Sequence, residues 1–164
     1  MGIVKYLLTN GKNSCKFVIQ NNDKIMINKI EVSWKGQMLF ESVAPEGTVI
    51  IDAAEEAGGQ GKGLRPKALM LTSLAGCTAM DVASLLKKMR AEVGNFKIEV
   101  EANLTEEHPK VYDKVKVIYK FYGEDFKKDK IEKAVNLSVE SYCGVMEMFR
   151  KFAEVTTEIQ YFDK

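Results

Sequence analysis

Histidine occurs once in these 164 residues, cysteine, arginine and proline three times each, and 24 Lys and Arg against 23 Asp and Glu leave a formal charge of only +1. Each scarcity removes a class of function. A chain without a net field has little with which to gather nucleic acid or an anionic membrane surface, so neither is expected as a partner. The sole His108, in EEHPK before a proline, reads as a loop residue rather than an acid–base catalyst. No GxSxG elbow offers a serine nucleophile, and the glycine-rich stretch matches neither a phosphate loop nor a dinucleotide fingerprint. Cys77, Cys143, His108 and Asp81 lack the close ligand spacing of a metal site, and none is expected. An odd cysteine count suits no secreted disulfide framework, and the start MGIVKYLLTNGKNSCK has a short apolar stretch and no small-residue cleavage signal. A cytoplasmic place with resting thiols is the expectation.

What is present is a strand-rich beginning and a long apolar helix. Strand patterns at 4–9, 15–20 and 24–28 are separated by Asn10-Gly11 and Asn21-Asn22-Asp23, and further strands are expected at 30–34, 38–43 and 48–51. Four glycines between Gly58 and Gly63 predict a mobile loop. Pro66 suits the first turn of a helix, and Ala68 to Leu86 is apolar on nearly every side. Asp81 and the Ser/Thr content argue against a membrane span and for a helix sandwiched between protein layers. Beyond Gly94-Asn95, strands are expected at 96–104 and 111–122, with Val115, Val117 and Tyr119 on one face. Helices follow at 129–141, with Ile131, Ala134, Val135 and Ser138 on one side, and at 145–152, then a strand at 155–162. This order is α+β, in a single domain over 1–164: N-terminal strands at 1–28, a sheet and glycine-rich loop at 29–65, and the helix with the C-terminal α+β part at 66–164.

Chemistry, where it exists, rests on sulfur. Cys77 lies inside the apolar helix, where a small hydrophobe for packing and a reactive thiol are both open readings. Gly76 beside it costs up to about 1 kcal/mol relative to alanine in a helix, which predicts a close neighbour there. Cys143 is in SYCGV between the two C-terminal helices, and if it lies near the start of the second the helix dipole would favour its thiolate. Asp81 is one turn beyond Cys77 on the same face; as an anion it would raise the Cys77 pKa, and as a hydrogen-bonded structural residue it need not face the sulfur. Cys15, in a strand pattern without polar company, reads as packing.

Three runs in order, GLRPKALMLTSLAGCTAMDVASLLKK, EEHPKVYDKVKVIYKF and LSVESYCGV, with Cys77 and Cys143 66 positions apart, resemble the OsmC/Ohr superfamily of osmotically induced and organic hydroperoxide resistance proteins, in its OsmC-like branch. The resemblance runs from about Ile30 to the C-terminus. It implies antiparallel sheets around a central buried cysteine helix, and an intertwined homodimer with active sites at the subunit boundary. It also implies a thiol-dependent organic hydroperoxide reductase: Cys77 attacks the peroxide, Cys143 resolves the sulfenic acid, and an external dithiol or lipoyl-type reductant restores the pair without a bound cofactor. The apolar surroundings of Cys77 favour a small alkyl hydroperoxide.

Two features depart from that pattern. No arginine precedes Arg65, and Lys67 stands where peroxidase members carry a glutamate at the helix start, with Ala68 no substitute. Arg65 is then the candidate for the activating charge, with Lys67 as a point-charge alternative. The missing pair also supports a second expectation, a non-catalytic homodimer that binds a small apolar molecule or responds to redox state.

Overall fold

Alternating side chains and tight turns lay down three strands before the glycine-rich loop. In the computed structural model, which describes residues 28–163, these are β1 (Glu31–Gly36), β2 (Leu39–Ala44) and β3 (Gly47–Ile51), paired antiparallel in that order. The strands expected at 4–9, 15–20 and 24–28 lie outside the described residues, apart from Asn28, as does Cys15.

The loop after β3 departs from its sequence reading. It is pinned by Asp52, whose carboxylate is 1% exposed and accepts the backbone N–H groups of Ala53, Gln60 and Lys62 at 2.8, 2.9 and 3.1 Å. Those amides, Gln60 first, hold the Asp52 carboxyl below its usual range against the opposing effect of burial. Two of the glycines are there for close approach, since a side chain at Gly59 would overlap the Ala53 carbonyl and one at Gly63 the Ile50 carbonyl.

Arg65 then leads into α1 (Pro66–Met89), with proline in the first turn and Lys87 and Lys88 in the last, where the dipole favours them. By length and composition α1 is apolar enough to cross a membrane. Within this chain it packs Leu74, Thr78, Val82, Leu85 and Leu86 inward and leaves Met70 and Met80 43% and 70% exposed. The expected helix buried on all sides is thus buried on one. Gly76 belongs to the open face, and a side chain there would meet nothing, so the predicted close neighbour is absent among the described residues.

The second sheet is built from β4 (Asn95–Leu104), β5 (Tyr112–Gly123) and β6 (Glu154–Asp163) in that order. β4 and β5 are antiparallel, but β6 runs parallel to β5, which corrects the expectation of purely antiparallel sheets. The reason is the connection. Two helices, α2 (Lys128–Leu137) and α3 (Gly144–Arg150), carry the chain back to the starting end of β5, so it re-enters the sheet in the same direction. Val115, Val117, Tyr119 and Phe121, alternating along β5, are all at most 2% exposed. Ile131, Ala134, Val135 and Ser138 close the core from α2 and the turn after it, as their spacing predicts. On α3, Met146 and Phe149 are buried but Phe152, just past its end, is 47% exposed. Every buried hydrophobic among the described residues lies at Leu74 or beyond.

Candidate active site

The two cysteines reach one place by different routes. Cys77 stands on α1 one residue before the buried Thr78, so its side chain falls at the edge of the core and stays partly exposed. Cys143 is delivered by an irregularity. After α2 the helix widens into a π turn, Ser138–Tyr142, in which the Cys143 amide bonds back to the Ser138 carbonyl at 2.9 Å. The Arg150 guanidinium donates to Glu140 of that turn at 2.8 Å and ties it to α3. Cys143 then caps α3, its Sγ accepting the Met146 N–H at 3.4 Å.

The result is a cluster. Cys77 Sγ, Cys143 Sγ and a carboxylate oxygen of Asp81 all lie within 4.8 Å of one another. Burial pushes the Cys143 thiol up to about 11; the Met146 N–H works against this, and neighbouring Cys77 adds to it. Desolvation therefore outweighs the helix end, and the expected favouring of a Cys143 thiolate is not what this position provides. His108 sits in the exposed β4–β5 connection, outside this cluster.

Behind the cluster runs a line of hydroxyls. Tyr119 Oη lies 2.7 Å from Thr78 Oγ1, Thr78 Oγ1 lies 2.8 Å from Ser138 Oγ, and Ser138 Oγ donates to Asp81 Oδ2 at 3.1 Å. Tyr119, Thr78 and Ser138 are all fully buried. With the carboxylate ionised, each hydroxyl has one proton to give, so the direction is fixed from Tyr119 through Thr78 and Ser138 to Asp81. Burial pushes the Tyr119 phenol up to about 12, with the Thr78 hydrogen bond opposing, which keeps it a donor. None of these hydroxyls stood out as functional in the sequence. The available signals were a threonine in an apolar helix and a serine on the buried face of α2, both polar groups that need partners.

Arg65 does not join the cluster. It precedes the first turn of α1, and a straight helix puts it about 18 Å from Cys77 along the axis. There it lines, with Lys67, Ala68, Leu71, Leu104 and Tyr112, a largely apolar cleft of about 510 Å³. A smaller hollow of about 120 Å³ is bounded by Asp81, Ser84, Leu85, Lys88 and Tyr142.

Residues 59–158 match the family described as OsmC-like protein. The chain is 28% identical to Protein YhfA of Escherichia coli K12 over 76% of its own length and 91% of that protein. A hypothetical protein from Aquifex aeolicus is similar in structure, with a TM-score of 0.74 and 28% identity over 85% of this chain and 99% of that one. An organic hydroperoxide resistance protein of Bacillus subtilis shares the fold at a TM-score of 0.59 and 19% identity, covering 83% of this chain and 99% of that one.

Proposed function

The chain belongs to the OsmC-like protein family, and from that premise we propose that it reduces organic hydroperoxides, with Cys77 as attacking thiolate and Cys143 as resolving thiol. One observation carries the reading: two thiols 66 positions apart in sequence stand within 4.8 Å, one partly exposed and one buried. A disulfide needs the sulfurs at ~2 Å, so the two must draw closer before it forms. The exposed sulfur meets the peroxide, and the sheltered one waits for the sulfenic acid. A small apolar hydroperoxide suits the setting because its burial beside Cys77 is favourable, and an external dithiol or lipoyl-type reductant reopens the disulfide. Sulfur carries both electrons, so the reaction calls for no bound cofactor.

The working unit of this proposal is a homodimer in the cytoplasm, where thiols rest reduced. Ile30, Val32 and Trp34 at 57%, 54% and 67% exposure, and the open face of α1, are the apolar surfaces a second copy would cover. The role first considered for Arg65 is narrowed, since within its own protomer it serves the cleft at the head of α1 rather than the sulfur.

That separation is the specific observation behind a second reading, a non-catalytic homodimer that binds a small apolar molecule or responds to redox state. One experiment separates the two. Reduced protein is mixed with one equivalent of cumene hydroperoxide, and thiols and disulfide are followed by mass spectrometry. Loss of both thiols within minutes, dependent on Cys77, is the expected result. Unchanged Cys77 and Cys143 would leave the second reading.

A further inference from the structure

A pair of thiols without an arginine among them still has protons to move, and the structure offers one group placed to move them. We infer that Asp81 is a catalytic proton carrier for both thiols, and that Ser138 is the residue that positions it. The inference rests on the peroxidase reading and deepens it.

Two features of the geometry support it. Asp81 follows Cys77 by one turn of α1, and its carboxylate lies within 4.8 Å of both sulfurs, nearer than the single-chain position of Arg65 allows. Ser138 donates to Oδ2 at the end of the polarised line from Tyr119, which holds the carboxylate in place and leaves its other acceptor positions for a thiol proton. A carboxylate that served only as a structural acceptor for Ser138 has no need to lie within 4.8 Å of two thiols.

The steps balance around this group. In the first, the Cys77 proton passes to Asp81 and the thiolate attacks the terminal peroxide oxygen. The O–O bond breaks, sulfur is oxidised by two electrons to the sulfenic acid, and the departing alkoxide takes the proton from Asp81 to leave as the alcohol. In the second, the Cys143 proton passes to Asp81 and the new thiolate attacks Cys77 sulfur. The S–S bond forms, the S–O bond breaks, and the hydroxide leaves as water with the same proton. Asp81 ends each step as it began. The raised pKa of Cys143 makes the second transfer the more demanding one.

The charged and titratable groups around the carboxylate are Cys77 on its own helix, Cys143, Tyr119 behind Thr78, and Lys88 and Tyr142 across the small hollow. The test is rapid mixing of the reduced full chain with cumene hydroperoxide between pH 5 and 9. Disulfide formation is read by non-reducing mass spectrometry, and Cys77 sulfenic acid by trapping with dimedone. D81N, close in shape to the native side chain, is expected to slow disulfide closure ~100-fold and to accumulate the trapped adduct. D81E, as a second variant with a carboxylate, restores most of the rate. S138A removes the donor that holds the carboxylate and slows closure less than D81N, and S138T, which returns a hydroxyl to the same position, restores the rate, a rescue that lost packing alone would not give. A wild-type chain that forms no disulfide overturns the peroxidase reading and this inference with it. A wild-type chain that does, with D81N closing as fast or faster, overturns the inference alone, the faster case being what an anion that merely repels thiolates predicts.

Discussion

The β1–β3 sheet and the β4–β6 body are built from the same alternating pattern and end in opposite states. In the body, Val117, Tyr119 and Phe121 are at 0% exposure beneath α1 and α2, whereas in the first sheet Val32, Trp34 and Val43 are 54%, 67% and 47% exposed. Alternation specifies that a strand has an apolar face, but says nothing of what covers it. Among the described residues the body supplies its own cover and the first sheet does not, so the two regions should respond differently to equivalent damage.

The sharpest test is a matched pair of truncations. F121A should cost about 3–5 kcal/mol in urea unfolding at any protein concentration, because a buried ring leaves a cavity. W34A removes a larger side chain, yet its loss should fall on association. The apparent stability of the wild type should rise with concentration and that of W34A much less, with light scattering reporting the weaker dimer. Equal, concentration-independent losses in both would break the contrast between the regions.

A smaller effect is expected within the hydroxyl line of the body. T78V keeps the shape of the side chain but leaves Tyr119 and Ser138 short of a partner, and thermal unfolding should show a loss of about 1–3 kcal/mol.

At the junction of the two regions, D52N should lower the melting temperature at neutral pH by loosening the loop. Folding holds the Asp52 carboxyl below its ordinary value of 3.8, so its contribution is complete above about pH 4 and fades as pH falls through the lower, folded value. The gap between wild type and D52N should therefore narrow in acid, and a gap that stays constant would remove the ionised carboxylate from the explanation. The smallest effect belongs to the exposed ion pair between Lys35 and Glu41 on the first sheet. K35A should change stability by no more than ~1 kcal/mol, and the change should vanish in high salt.

Much of this molecule was legible in the amino-acid order. Strand and helix positions from Ile30 onward, the buried faces of β5 and α2, and the nearness of Cys77 to Cys143 followed from periodicity, turn chemistry or family likeness. The exceptions share one cause, that local rules do not see what lies across space. Gly76 suggested a close neighbour on chemical grounds, yet it faces outward. The glycines of the 58–63 loop suggested mobility because their backbone freedom is local, whereas the buried acceptor that organises them, Asp52, lies upstream. Cys143 looked favoured as a thiolate at a helix start, but its burial comes from the packing of α3 and is the stronger influence.

The sequence by itself determined the elements, the apolar faces and the identity of the two sulfur atoms, because each of these is set by neighbours a few residues away or by the shared pattern of a family. Tertiary structure alone decided that β6 would join β5 in parallel. It also turned Asp81 toward both thiols and led Tyr119, Thr78 and Ser138 to it in one line. Those outcomes depend on a crossover through two helices and on a π turn that moves one residue out of helical register, and a contact of 2.8 Å between residues 60 positions apart leaves no trace in either one's surroundings along the chain.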